Sequence, residues 1–361
     1  MRILFINSIQ MFGGGEIWML RTLAGLKARG HQVHLICRPG TELEKRAMDA
    51  GVQVYSIPIR GDFGPLSIYR TWKCIRDNKI DIVLTNMDKE LRFGGIAARL
   101  AGHCAVFPRR GIDYPLKNKP HYRFAYTKLA DAVIANSAAT KRALLKNAPW
   151  LPEHKVRIVY NGIVPDAFMT PPAHDLRKDW GIPNNEFVFG FVGQLDERKG
   201  LHTLLPAFAS LTTKAHLVLV GEGVMDREID EFTHKHGLDR LHRVGFSKDI
   251  ENVMKAIDCL ILPSLWEGFG IVLIEAMAAG KPAITTNVSS MPEIVVDNET
   301  GIVVPVSDEA ALTRAMQRIV EDPKQSAEWG TRGRERVLQH FTLKQMLNEL
   351  ERVFTETLSA R

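Results

Sequence analysis

The chain has 361 residues, of which 45% are hydrophobic and 24% charged, a profile that excludes a disordered protein. Its length exceeds one ordinary compact domain and suits two, and no apolar run approaches the ~20 residues of a membrane-spanning helix. The formal charge of +6 is unevenly spread: residues 1–170 hold 26 Lys and Arg against 13 Asp and Glu (+13), while residues 171–361 hold 21 against 28 (−7). A basic front half attracts anions such as phosphate, acidic glycan, lipid head groups or nucleic acid, although a solvated basic face gives the same count.

In chain order, the opening run from Met1 to Asn7 is too short for a signal peptide and leads into glycines rather than a cleavage site, so it reads as a buried first strand. Further strands are expected at 33–36, 52–57, 80–84, 105–107, 132–135 and 156–160. The apolar positions Ile17, Leu20, Leu23, Ala24 and Leu26 give a helix over 16–29 that Gly30 stops. Ser137 is the expected N-cap of a helix over 138–146. The pattern breaks at Asn161-Gly162 and again at Pro171-Pro172, which marks a hinge. Alternation restarts with strands at 187–192, 216–220, 241–244, 259–262, 283–286 and 301–304. Helices are expected at 201–211, 226–236, 249–256, 271–279, 309–320 and 343–358. Strands alternating with helices imply parallel sheets covered on both faces. The expected fold class is therefore α/β, with two doubly wound Rossmann-like domains in series and a ligand site in the cleft between them, at the carboxyl ends of the strands. The expected domains are 1–165 and 166–342, with 343–361 a C-terminal helix able to cross back to the first domain. Cys37, Cys74, Cys104 and Cys259 are too scattered for a zinc site and read as reduced thiols of a cytoplasmic protein.

Three motifs carry chemistry. Gly13-Gly14-Gly15-Glu16 follows the first strand and opens a helix, so backbone N–H groups and the helix dipole can receive an anion. The alternative is a tight turn; a dinucleotide site is disfavoured because GxGxxG spacing is absent and strand two ends at Cys37-Arg38 without an acidic residue. Gly193-Gln194 to Arg198-Lys199-Gly200 can bring two cations to a pyrophosphate, or can be a solvated basic pair. In the third, Glu267 lies on a loop before a helix starting near Ile271, and Glu275 a little over one turn inside that helix. Both carboxylates can face one ligand at the helix start, Glu275 toward vicinal hydroxyls and Glu267 nearer a departing group. The bland reading is a dipole-stabilising Glu267 with a surface Glu275, but the apolar neighbours of Glu275 argue against solvation.

These motifs, with Gly30-His31, Asn161-Gly162-Ile163, Gly221-Glu222-Gly223, Gly245-Phe246, Gly280-Lys281-Pro282 and Pro292-Glu293-Ile294, give the chain a resemblance over almost its whole length to the retaining GT-B-fold glycosyltransferases of family 4. The resemblance implies a UDP- or GDP-sugar donor. Glu275 would bind the ribose, the amides of Phe269, Gly270, Ile271 and Val272 the diphosphate, and the backbone at Gly245 and Phe246 would border the base. Lys199 and Arg198 would neutralise the diphosphate, Gln194 and the Gly14-Gly15 backbone would complete the donor site, and Glu267 would lie by the transferred sugar. No metal or cofactor is implied. Two departures stand out: Gln194 replaces an Arg common in relatives, and Arg109 replaces a His. On the acceptor side, Glu16, Arg109, Arg110 and Asp113 are the candidates, with His121 as a further possibility. The acceptor would be a glycan or lipid-linked chain in bacterial lipopolysaccharide or surface polysaccharide assembly. The segment from Pro115 to Lys128, mixing cations with aromatics, suggests peripheral contact with an anionic inner membrane face; nucleic acid is not expected, because no binding motif accompanies these residues. Rival readings are an epimerase-like GT-B enzyme, a phosphorylase (disfavoured by chain length) and a catalytically silent sugar-nucleotide-binding protein.

Overall fold

The computed structural model describes residues 1–59, 61 and 64–361. The chain divides into two compact units, Met1–Asn161 with Leu343–Arg361, and Gly162–Thr342. The first break thus follows residue 161 rather than 165, and the C-terminal segment belongs to unit 1.

Unit 1 holds seven parallel strands in the order β3-β2-β1-β4-β5-β6-β7: β1 (Arg2–Ile6), β2 (Gln32–Cys37), β3 (Gln53–Ser56), β4 (Ile82–Thr85), β5 (Ala105–Arg110), β6 (Val133–Ala135) and β7 (Val156–Ile158). Both faces are covered, so the successive residues Ile3 to Ile6 of β1 are all buried. Leu4 and Ile6 pack with Val83, Phe93 and Tyr126 on one face, while Ile3 and Phe5 pack with Leu84, Phe107 and Phe354 on the other. The connecting helices are α1 (Gly14–Ala28), α2 (Glu42–Asp49), α3 (Pro65–Asp77), α4 (Asp88–Ala101), α5 (Pro120–Phe124), which runs on into a π-helical turn, and α6 (Ala138–Lys146). Ser137 caps α6, its hydroxyl accepting from the Thr140 N–H.

Two features depart from the sequence reading. β5 runs to Arg110 because Arg109 and Arg110 pair with Ile134 and Ala135 of β6, so both arginines lie on the strand rather than beyond it. Helices α3 and α4 had no clear sequence signature. α4 contains Gly94-Gly95 and is buried on most sides; a Cβ at these glycines would come within 2.7 Å of Ile6 and 2.8 Å of Leu129, so small residues let the helix lie close to its neighbours at the expense of helix propensity.

Unit 2 holds six parallel strands in the order β10-β9-β8-β11-β12-β13: β8 (Phe187–Val192), β9 (Ala215–Val220), β10 (Leu241–Gly245), β11 (Cys259–Leu262), β12 (Ala283–Thr286) and β13 (Gly301–Val304). Its helices are α7 (Asp166–Met169), α8 (Leu176–Asp179), α9 (Leu201–Ala209), α10 (Asp226–His236), α11 (Ile250–Ala256), α12 (Ile271–Ala278), α13 (Met291–Ile294), α14 (Glu309–Glu321) and α15 (Pro323–His340). α15 is another helix the sequence reading left out. The last helix, α16 (Leu343–Ser359), packs on α1 within unit 1, where Trp18 Nε1 donates to Met346 Sδ at 3.1 Å. Gly25 permits this approach, since a Cβ there would fall 2.5 Å from Leu347. All four cysteines are free and buried, and burial pushes the Cys104 thiol up to about 11. Among the described residues no helix is long and apolar enough to cross a membrane.

Candidate functional site

In unit 2 the strand order reverses between β8 and β11, and the loops after these two strands are the ones that carry the second and third motifs. A crevice at such a switch point, at the carboxyl ends of the strands, is where doubly wound sheets bind ligands. The two loops are locked together. Leu265 N donates to Arg198 O at 2.8 Å, and Gly200 lies so close that a Cβ would sit 2.0 Å from Pro263 O. Gly200 also has φ +72, the left-handed conformation that glycine adopts without strain. The loop after β9 joins the cradle through equally close approaches. A Cβ at Gly221 would meet Gly193 O at 1.9 Å, and one at Gly223 would meet Leu195 O at 2.1 Å.

This scaffold brings Lys199 and Glu267 into contact, the ammonium 2.5 Å from the carboxylate, with side chains only 17% and 16% exposed. Ser264 Oγ donates to the same carboxylate oxygen at 3.4 Å, and the Gly268 N–H donates to the other at 3.2 Å. Arg198 takes a different course: its guanidinium pairs with Asp196 at 2.5 Å and reaches Gln194 Oε1 at 3.4 Å. The loop then enters α12 at Ile271, where the expected helix start lies. Its N-cap, Gly270, has φ +82 and contributes no side-chain cap, which suits the helix start to an anion. Glu275, one turn further along α12, is 7% exposed rather than solvated. Phe269 is buried against Phe341, and Phe246 is 68% exposed, its N–H donating to Glu222 Oε1 at 3.3 Å.

Four hydroxyls that the sequence reading passed over fasten this loop to the end of β12 and the segment after it. Thr285 Oγ1 donates to Leu262 O, Thr286 Oγ1 to Ser264 O, and Ser290 Oγ to Phe269 O, while Ser289 Oγ accepts from the Glu267 N–H. The clue in the sequence was a run of hydroxyl residues following an apolar strand, ahead of Pro292-Glu293.

Unit 1 has its own switch point, between β1 and β4. The Gly13–Gly15 turn follows β1, and α1 begins at Gly14 because the Glu16 carboxylate accepts from the Gly13 N–H at 3.0 Å and the Asn7 amide at 2.9 Å. Glu16 is thereby 4% exposed and serves as a cap, not as an open acceptor-side group. Glu90, which the sequence reading missed, accepts from Ser8 N, Ser8 Oγ, Asn86 N and Met87 N at 2.6–2.9 Å and so ties the two switch-point loops together. Burial pushes its carboxyl up to about 7 against the pull of these donors.

Arg109 is 5% exposed; it donates to Asn86 Oδ1 at 3.3 Å and Asn161 Oδ1 at 3.1 Å and stacks 3.8 Å over the Trp18 ring. Burial lowers its guanidinium to about 9, with the Glu16 charge acting in the opposite direction. Arg110 is committed to Asp88, which Tyr126 also holds. Asp113 lies half-buried on the following loop, and His121 is exposed beside Tyr122. Among the described residues no group of three or more His, Cys, Asp or Glu is placed to hold a metal ion.

Known proteins share this fold and its sequence pattern. The family model for Glycosyltransferase Family 4 matches residues 12–167, and that for Glycosyl transferases group 1 matches residues 173–336. The chain is 26% identical to the Escherichia coli UDP-Gal:alpha-D-GlcNAc-diphosphoundecaprenol alpha-1,3-galactosyltransferase, over 89% of this chain and 88% of the relative. It is 26% identical to the capsular polysaccharide biosynthesis glycosyltransferase CapM of Staphylococcus aureus, over 92% of each. The structure of Anabaena HepE in complex with UDP superposes with a TM-score of 0.89 at 22% identity, over 99% of this chain and 100% of that one. With the two family models together taking in most of the sequence, the chain belongs to the group 1, family 4 glycosyltransferases and has their two-domain GT-B fold.

Proposed function

We propose that this glycosyltransferase moves a hexose-type sugar from a UDP- or GDP-linked donor to a glycan or lipid-linked acceptor in the assembly of a bacterial lipopolysaccharide or surface polysaccharide. The observation that carries the reading is the Lys199–Glu267 pair at the switch point of unit 2, beside the start of α12 and the buried Glu275. Lys199 and the amides of Phe269 to Val272 neutralise the diphosphate; Arg198, held by Asp196, acts behind Lys199 and Gln194 completes the loop. Glu275 accepts from the ribose hydroxyls, the backbone at Gly245 and Phe246 borders the base, and Glu267 lies by the sugar. The bond from the anomeric carbon to the diphosphate oxygen breaks, the acceptor hydroxyl oxygen bonds the same face of that carbon, and its proton passes to the leaving phosphate. This gives retention, and the reading invokes no metal or cofactor. Gly14 and Gly15 offer backbone N–H groups to a phosphate, and Arg109, Arg110 and Asp113 mark the acceptor side of unit 1.

The named substrates of relatives support this reading: the E. coli relative uses UDP-Gal and a diphosphoundecaprenol-linked acceptor, and HepE was also solved with UDP-glucose. Incubating the protein with a panel of UDP- and GDP-sugars and candidate acceptors, while following nucleotide release and anomeric configuration, tests it. Transfer with inversion overturns the mechanism, and absence of any nucleotide binding overturns the donor site.

The same reading places the protein at the inner face of the membrane. Lys117, Lys119, His121, Arg123 and Lys128 are exposed; Tyr114 just before them and Phe124 among them are 55% and 47% exposed. Exposed aromatics among cations match an anionic bilayer interface better than a purely polar partner. Co-sedimentation with anionic vesicles should fall when Lys117, Lys119 and Arg123 are replaced by Ser; unchanged binding rejects this seat.

A further inference from the structure

Glu267 owes its direction to the loop it stands on, and that loop is held at both ends by adjacent serines. At its far end the Ser290 hydroxyl, fully buried, donates to Phe269 O at 2.9 Å. At its near end the Glu267 N–H donates to Ser289 Oγ at 3.3 Å. Ser289 makes this bond from φ +52, a left-handed conformation that strains a residue with a Cβ. Glycine would adopt that turn freely but would bring no hydroxyl. Local conformation therefore favours one residue type at position 289 while the contact to Glu267 needs another, and the contact has prevailed. Such conflicts concentrate at functional sites.

We propose that Ser289 is a positioning residue for Glu267: by accepting the Glu267 N–H it sets where the side chain leaves the loop, and so aims the carboxylate at Lys199 and the transferred sugar. The inference rests on the reading of Glu267 as the group beside that sugar. It assigns no contact between Ser289 and substrate. A misplacement on the scale of 1 Å at such a site lowers turnover by up to about 100-fold.

Ser289→Gly and Ser289→Ala in the full chain test this. Ser289→Gly removes strain and hydroxyl together, so its melting midpoint should equal or exceed that of the parent; Ser289→Ala keeps the strain and should melt lower. In both, the Glu267 amide should exchange with solvent deuterium faster. UDP affinity should stay within about twofold, whereas the added affinity of UDP-glucose over UDP, and nucleotide release from the best donor of the panel, should drop by about tenfold or more. A merely structural serine predicts that Ser289→Gly, equally firm or firmer, keeps full turnover, and that result overturns the proposal. Parental exchange at Glu267 in both variants overturns it too. Should the parent bind no UDP, the donor reading fails, while the exchange comparison still decides whether Ser289 holds the loop.

Discussion

The Lys199 ammonium lies 2.5 Å from the Glu267 carboxylate, two charges 68 residues apart in sequence and largely screened from solvent. Each is the other's counterion, so an anion arriving at Lys199 would compete with Glu267.

That competition makes the two substitutions behave oppositely. Lys199→Met should weaken UDP binding by about 10- to 100-fold, the range for a lost charge-assisted hydrogen bond. Glu267→Gln removes the competitor, so UDP should bind as tightly as before or more so, while turnover falls steeply. Calorimetric titration with UDP separates the cases; parallel losses of affinity in both variants contradict the assignment.

Glu275→Ala should lower UDP affinity by about tenfold if the buried carboxylate accepts from two ribose hydroxyls as proposed, since both bonds are then lost at once. With a UDP analogue lacking the ribose hydroxyls, parent and variant should bind alike. A deficit that persists with the analogue argues that Glu275 supports the helix rather than the ribose.

Glu90 predicts a pH dependence. Its folded value of about 7 lies above its ordinary 4.5, so its contribution to stability is complete below about pH 4.5 and is lost as pH rises through about 7. The shift corresponds to roughly 3 kcal/mol. Between pH 5 and pH 8 the parent should lose stability relative to Glu90→Gln, which cannot ionise; urea unfolding at the two values measures it. Identical pH slopes would exclude Glu90 as the source.

Gly221→Ala places a Cβ 1.9 Å from Gly193 O at φ +143, a backbone-to-backbone clash that no rotamer relieves. Unit 2 should lose about 3 kcal/mol or more. Gly237→Ala, with φ +58 but nothing within 4 Å of the added Cβ, carries only the conformational cost of about 1 kcal/mol. Thermal melts of the pair test whether close approach or conformation makes Gly221 glycine; equal losses favour conformation.

The fold and half of the site were legible in the sequence because their signals are local. Ser137 and the helix after it, the helix start at Ile271, and β8 to β13 all follow from short-range periodicity, capping residues and turns. Helices α4 and α15 escaped notice because Gly94, Gly95, Gly330 and Gly333 weaken the helical signal. A Cβ at Gly330 would meet Gly280 O at 2.0 Å, so its purpose is visible only with its neighbour in place. Glu16 looked like an open ligand because its pattern does not show that the Asn7 amide, nine residues away, also donates to it.

Residue type and spacing alone therefore determined the two doubly wound units, the loops that bear Lys199, Glu267 and Glu275, and the order in which they come. Tertiary structure alone decided the partnerships: Lys199 with Glu267, Glu90 with two loops of unit 1, and Ser289 with the Glu267 amide. The reason is physical. Helix and strand patterns arise from neighbours a few residues apart, whereas the bonds that aim a functional side chain form only after parallel strands, distant in sequence, lie side by side and bring the loops at their carboxyl ends together.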